Sequence, residues 1–199
     1  MSLQHSRMGF ILAGGRSSRM GSDKALLDFG GRTALDRAAG VIQEVCPAFA
    51  IVGDPAVFAC HGNVVRDVYP GCGPLGGIHA ALRDSRAELN VVLAVDMPFV
   101  SAQLIELLLT IAGDSGAVVT VPRTRRGFQP LCAVYRPDFA DVAEAALRAG
   151  KNKIDALFDS TTARIIEEDE LMAAGFSERS FFNVNTPDDL RSALQSFRP

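Results

Sequence analysis

The sequence predicts a three-layer α/β domain with a mainly parallel sheet, and three observations carry that prediction. Short, continuous apolar runs rich in Val, Ile, Leu and Ala recur at 9–13, 48–53, 64–66, 90–95, 117–121, 130–135 and 163–166. Runs of this length suit strands covered on both faces. Helical patterns at 34–46, 74–86, 101–112, 138–149 and 187–196 fall between most of them. Alternation of this kind builds a Rossmann-like sheet with helices on either side. The third observation is size: 199 residues, 48% hydrophobic and 22% charged, suffice for one domain with an extensive core. The domain is placed at 8–199, and residues 1–7 are set aside as a tag or disordered segment in which Met1-Ser2-Leu3 resembles a cloning scar.

Composition narrows the function. A formal net charge of −3 offers no general attraction to nucleic acid or an anionic membrane, so neither is expected as a partner. No apolar run approaches the roughly 18 residues of a membrane span, and no signal-peptide core is seen, so a cytoplasmic location is expected. Cys46, Cys60, Cys72 and Cys132 form no C-x-x-C pair, and His5, His61 and His79 show no metal-ligand spacing, which argues against zinc and disulfides. Cys46 and Cys132 lie in apolar stretches and read as core thiols, whereas Cys72 reads as an exposed loop thiol.

Along the chain, the first strand, Phe10 to Leu12, runs into Ala13, Gly14 and Gly15 and then meets Arg16, Arg19 and Lys24. Glycines let backbone approach a ligand closely, cations oppose phosphate oxygens, and the carboxyl end of a strand is where open α/β sheets bind ligands. The segment therefore reads as a grip for a nucleoside triphosphate. It is not a P-loop, because five residues separate Gly15 from Gly21 and Lys24 comes three residues later. Gly30-Gly31 suggests the turn into the first helix.

Gly71-Cys72-Gly73-Pro74-Leu75-Gly76 matches G-x-G-x-x-G, with Asp96 following twenty residues later, which admits an NAD-binding oxidoreductase as an alternative. Against it, Asp67-Val68-Tyr69-Pro70 stands between strand and glycines, and the first βα unit already carries a different loop. Pro74 suits the first turn of a helix. Asp96 ends a wholly apolar strand and Met97-Pro98 stops it. An isolated carboxylate there is costly unless paired or bound to a cation, and Mg²⁺ needs only one or two protein carboxylates beside substrate phosphates. Arg123 to Gly127 is the most polar insertion and reads as a substrate-side loop, and Gly150 reads as a helix C-terminal glycine. In Asn183-Val184-Asn185-Thr186-Pro187-Asp188-Asp189, Thr186 reads as N-cap, Pro187 as the first helical residue, and the two acids as first-turn residues that favour the helix dipole. Asn183 and Asn185 alternate along an extended segment and so share a side.

The first loop resembles that of nucleotidyltransferases, and its Leu12-Ala13-Gly14-Gly15 form is similar to the molybdenum cofactor guanylyltransferases. Gly73-Pro74-Leu75-Gly76-Gly77, Asp96 at its strand end and Asn183-Val184-Asn185-Thr186-Pro187 match further motifs of that family, so the resemblance covers about 8–196. It implies a fold of the nucleotide-diphospho-sugar transferase type and transfer of GMP from GTP to the terminal phosphate of molybdopterin, with release of pyrophosphate. Carried over by position, Leu12, Ala13, Gly14, Gly15, Lys24, Gly53, Asp67 and Asp96 are expected at the nucleotide, with Arg19, Lys24 and Asp96 catalytic and Asp96 holding Mg²⁺. Gly76, Gly77, Gln129, Asn183 and Asn185 are expected at the acceptor. GTP and molybdopterin are the implied substrates, with cofactor-inserting or molybdoenzyme chaperone proteins as further partners. Gly53-Asp54 stands where the family often offers an asparagine to the base, and Lys151 stands where arginine is commoner. A cytidylyltransferase acting on the same cofactor is the nearest alternative, typified by Leu-Ala-Ala-Gly; Gly14 replaces that second alanine here.

Overall fold

The computed structural model describes residues 5–14 and 24–196. Eight strands form one sheet: Arg7–Leu12 (β1), Phe49–Val52 (β2), Val64–Val65 (β3), Leu89–Ala94 (β4), Val119–Thr124 (β5), Gly127–Phe128 (β6), Cys132–Tyr135 (β7) and Ala163–Ile166 (β8). Among the described residues the α-helices that accompany them are Ala34–Val45 (α1), Pro55–Phe58 (α2), Pro74–Asp84 (α3), Ala102–Ser115 (α4), Phe139–Arg148 (α5), Glu168–Ala173 (α6) and Pro187–Ser196 (α7). The strand order is β3-β2-β1-β4-β7-β5-β6, with β8 beside β5.

Strands β1 to β4 are mutually parallel, and β5 and β8 run the same way. The mainly parallel expectation holds, with one difference: β7 is antiparallel to both β4 and β5, and the short β6 turns back on β5. The reason is the connection. No helix separates β5 from β7, so the chain returns through the polar turn at Arg125 and Arg126 instead of crossing over.

The pleat splits the core into two faces. Ile11 packs with Leu35, Ile42, Leu104, Leu108 and Ala193 on one side, while its neighbours Phe10 and Leu12 pack with Leu75, Ile78, Phe139 and Leu147 on the other. This alternation along β1 is the period of two expected of a strand buried on both faces. Cys46 and Cys132 are core thiols as expected, and burial pushes them up to about 11 and about 12 respectively. Cys72 is half-buried, not exposed, because it packs against the α3–α5 side of the core. The N-terminal boundary also differs from 8: β1 begins at Arg7, the Ser6 carbonyl accepts from Leu89 N, and His5 pairs with Glu88 at 2.7 Å.

Register sets the level of the site. Leu12 stands beside Val52 on one side and Ala94 on the other, so β1, β2 and β4 end together. Ala13-Gly14, Gly53 and Val95-Asp96 therefore leave the sheet at the same edge.

Candidate active site

The glycines at this edge serve close packing. The Val52 carbonyl accepts from both Ala13 N, at 3.0 Å, and Gly14 N, at 3.2 Å. The Gly14 amide thus donates to the end of β2. A Cβ on Gly53 would lie 2.8 Å from the Phe58 ring of α2, and Gly14 and Gly53 face one another across ordinary contact distance. Gly53 is thus required by packing, whatever it offers a base. Gly15 and Arg19 lie outside the described residues.

Helix α3 closes onto the same region. Gly73, at φ 72°, occupies its N-cap and Pro74 its first turn, so the chain turns in a conformation costly for other residues. Asp67 accepts from Tyr69 N at 2.8 Å, and both its carboxylate oxygens would lie 2.8 Å from a Cβ on Gly76. A Cβ on Gly77 would meet the Leu12 side chain at 3.2 Å. Gly76 and Gly77 therefore bring α3 close against Asp67 and Leu12. Residues 66–70 separate β3 from the glycines, so the G-x-G-x-x-G match does not spring from a strand.

The other side of the edge is built from side chains. Lys24 opens a single 3₁₀ turn, Lys24–Leu26, and its Nζ donates to Asn185 Oδ1 at 2.8 Å and stands 4.0 Å from Asp96 Oδ2. Residues 24, 96 and 185 thus converge from three distant parts of the sequence. Asp96 follows β4; its main-chain carbonyl accepts from Val184 N at 2.8 Å, which fastens the C-terminal motif to the strand end. Val184 is buried between half-buried Asn183 and exposed Asn185, as alternation requires. Asn183 donates to Phe181 O at 3.4 Å, so Asn185 is the member of the pair that reaches Lys24.

Burial raises the pKa of Asp96 and the Lys24 ammonium opposes that rise. Asp96 Oδ1 is buried and, among the described residues, has no hydrogen-bond partner. A desolvated, half-satisfied carboxylate is suited to a hard cation. Among the described residues no group of three or more His, Cys, Asp or Glu could hold a metal, and a single carboxylate with water and substrate oxygens is a donor set that Mg²⁺ accepts.

Gln129 lies apart from this cluster in hydrogen bonding. Its Nε2 donates to Thr124 Oγ1 and Gly127 O, both at 3.3 Å, bracing the β5–β6 turn. In the polar segment Arg123 to Gly127, Arg123 and Arg125 pair with Glu167 and Glu168 at the start of α6, and Arg126 with Glu178. Gly150 ends α5 as expected, at φ 71°, with Lys151 N donating to Ala146 O at 2.9 Å.

Sequence reasoning missed one participant. Asp189 accepts at Oδ2 from Thr186 N, at 2.8 Å, and from Asn185 N, at 3.0 Å, while its own amide donates to Thr186 Oγ1 at 3.1 Å. The Thr-x-x-acid spacing of a reciprocal cap was the available signal; the second amide was not.

A mainly parallel sheet with a lysine, a half-buried carboxylate and glycine-tight turns at its level strand ends is the arrangement of an α/β enzyme of the nucleotidyltransferase type. The chain belongs to the MobA-like NTP transferase family, whose domain model matches residues 9–165. It is 40% identical over 187 residues to a probable molybdenum cofactor guanylyltransferase of Pelotomaculum thermopropionicum, covering 93% of this chain and 90% of that protein. A molybdenum cofactor guanylyltransferase of Desulfosudis oleivorans is 35% identical, with 93% of each chain covered. Among solved structures, molybdopterin-guanine dinucleotide biosynthesis protein A of Archaeoglobus fulgidus superposes with a TM-score of 0.82 at 28% identity, covering 95% of this chain and 97% of that one. Among the described residues no helix is long and apolar enough to cross a membrane.

Proposed function

We propose that this chain transfers GMP from GTP to the terminal phosphate of molybdopterin. An acceptor phosphate oxygen forms a bond to the α-phosphorus of GTP, the bond from that phosphorus to the β-phosphate bridging oxygen breaks, and pyrophosphate leaves. The observation that carries the reading is the convergence of Lys24, Asp96 and Asn185 at the level ends of β1 and β4. The names of its relatives supply the nucleotide and the acceptor.

Nucleotidyl transfer needs positioning and charge neutralisation more than covalent chemistry from the protein. Lys24 neutralises phosphate oxygens, aided by Arg19. Ala13, Gly14 and Gly53 form the floor against which the nucleotide lies, and Asp67, held by Tyr69 N, contacts the nucleotide. Asn185 and Asn183 face the acceptor. Asp96 would hold Mg²⁺, and an ion bound there would supply further neutralisation of phosphate charge. Hand-over of the product to cofactor-inserting or chaperone proteins belongs to the same reading.

The test is steady-state pyrophosphate release from GTP, CTP and ATP, each with and without molybdopterin and across a magnesium titration. Release that requires GTP, molybdopterin and magnesium together is expected. A preference for CTP would make the chain a cytidylyltransferase, and release without molybdopterin would remove the acceptor.

A further inference from the structure

The C-terminal motif ends in an aspartate whose bonding exceeds what a helix cap requires. In a reciprocal cap the acid at the third helical position accepts from the N-cap amide and the N-cap hydroxyl accepts in return. Helix α1 shows that minimum: Asp36 accepts from Thr33 N at 3.2 Å and Asp36 N donates to Thr33 Oγ1 at 3.0 Å. Asp189 makes the same pair with Thr186 and also accepts from the amide of Asn185, one residue before the cap.

Asn185 is consequently anchored on both sides. Before it, Val184 N donates to the Asp96 carbonyl at 2.8 Å; at Asn185 itself the amide is held by Asp189 at 3.0 Å. Its backbone has little freedom left, and its side-chain oxygen stands 2.8 Å from Lys24 Nζ. We infer that Asp189 is a positioning residue of the transfer site, acting through Asn185 to fix the Lys24 ammonium beside Asp96. One amide and one ammonium contact form a line, from Asp189 to Asn185 to Lys24, that ends 4.0 Å from the Asp96 carboxylate. The hydrogen bonds from Asn185 and Thr186 hold the Asp189 carboxyl below its ordinary range.

The inference rests on the proposed reaction, and its test separates the two. Full-length Asp189→Ala, Asp189→Asn, Thr186→Ala and Asn185→Ala are compared with the Asp189→Ala/Asn185→Ala double variant, recording kcat and KM for pyrophosphate release beside a thermal melt. Thr186→Ala removes the other half of the same cap and serves as the matched stability control. Asp189→Ala is expected to melt as Thr186→Ala does and yet to lose roughly 10²-fold in kcat, the scale of a displaced reacting group. Asp189→Asn keeps a carbonyl acceptor for the two amides and is expected to restore most of that loss. In the Asn185→Ala background, removing Asp189 should cost nothing further in kcat, since the residue it acts through is gone. Equal kcat for Asp189→Ala and Thr186→Ala would make Asp189 a cap and nothing more, as would additive losses in the double variant. Should Asp189→Ala fail to fold, an Asp189→Asn enzyme with the same lost kcat as Asn185→Ala would overturn the shape-based account. A wild-type chain that releases no pyrophosphate from GTP would remove the reaction and this role together.

Discussion

The two sides of the site are built in opposite ways. On one, Gly53, Gly76 and Gly77 stand so close to other protein atoms that backbone and packing define the surface, with a Cβ at Gly53 or Gly76 falling 2.8 Å from a neighbour. On the other, Lys24, Asp96 and Asn185 meet through side chains, and one carboxylate oxygen has no partner among the described residues. The first side should respond to added volume and the second to lost charge. Folding and turnover ought therefore to come apart on the second side and fall together on the first.

The largest effect is expected at Asp96. Asp96→Asn preserves shape and removes charge, so turnover should fall by roughly 10³ or more, given that metal-assisted neutralisation is worth several kcal/mol and each 1.36 kcal/mol is tenfold. The melting temperature should hold or rise, because burial disfavours the ionised carboxylate in the folded chain. Turnover measured across a magnesium titration, with a melt, checks both halves; wild-type turnover in the folded variant would remove Asp96 from the mechanism.

Lys24→Ala comes next. Loss of one preorganised contact to developing charge costs about 10²- to 10³-fold in kcat, and the half-exposed side chain contributes little to the core, so the melt should barely move. Unchanged turnover at saturating GTP would make Lys24 an ordinary surface lysine.

Gly76→Ala probes the other side. Its Cβ would meet both Asp67 oxygens at 2.8 Å and the Tyr69 carbonyl at 3.0 Å, so α3 or Asp67 must shift. Overpacking of this kind costs about 1 to 3 kcal/mol. A lower denaturation midpoint together with weaker GTP binding is expected, measured by urea titration and calorimetry; full stability with wild-type affinity would break the contrast.

The smallest effect belongs to Asp36, whose cap lies at α1. Asp36→Ala should cost about 1 kcal/mol of stability and leave turnover untouched. The hydrogen bonds from Thr33 hold the Asp36 carboxyl below its ordinary value of 3.8. Its contribution is therefore complete above about 3.8 and is lost as pH falls through the lower folded-state value, so the stability gap between wild type and Asp36→Ala should close only in that acid range. A gap that closed near neutrality would mean the cap is not what Asp36 supplies.

Much of this arrangement was legible before any coordinates. The unbroken apolar run before Asp96, the proline after Gly73 and the Thr-Pro start of α7 each combine a pattern with a specific local cause, and each element forms where expected. What escaped depended on contacts between distant segments or on elements too short for periodicity. Helix α2 is one turn, marked only by the Asp54 cap and Pro55, and α6 buries Leu171 alone, so neither shows an apolar stripe. The reversed direction of β7 could be suspected only from the missing crossover. No local pattern tells that the Gly14 amide would go to Val52, or that Asn185 would reach across 161 residues to Lys24.

Helix α7 buries only Ala193 fully, with Leu190 and Leu194 partly covered against the core, yet it carries the carboxylate that anchors Asn185. So little buried apolar area sets a low cost for local opening, far below that of the strands it lies beside. Amide hydrogens of α7 should exchange with solvent long before those of β1 and β4. In mild denaturant the chain would then fall silent while its sheet is still intact, switched off at its last helix rather than unfolded.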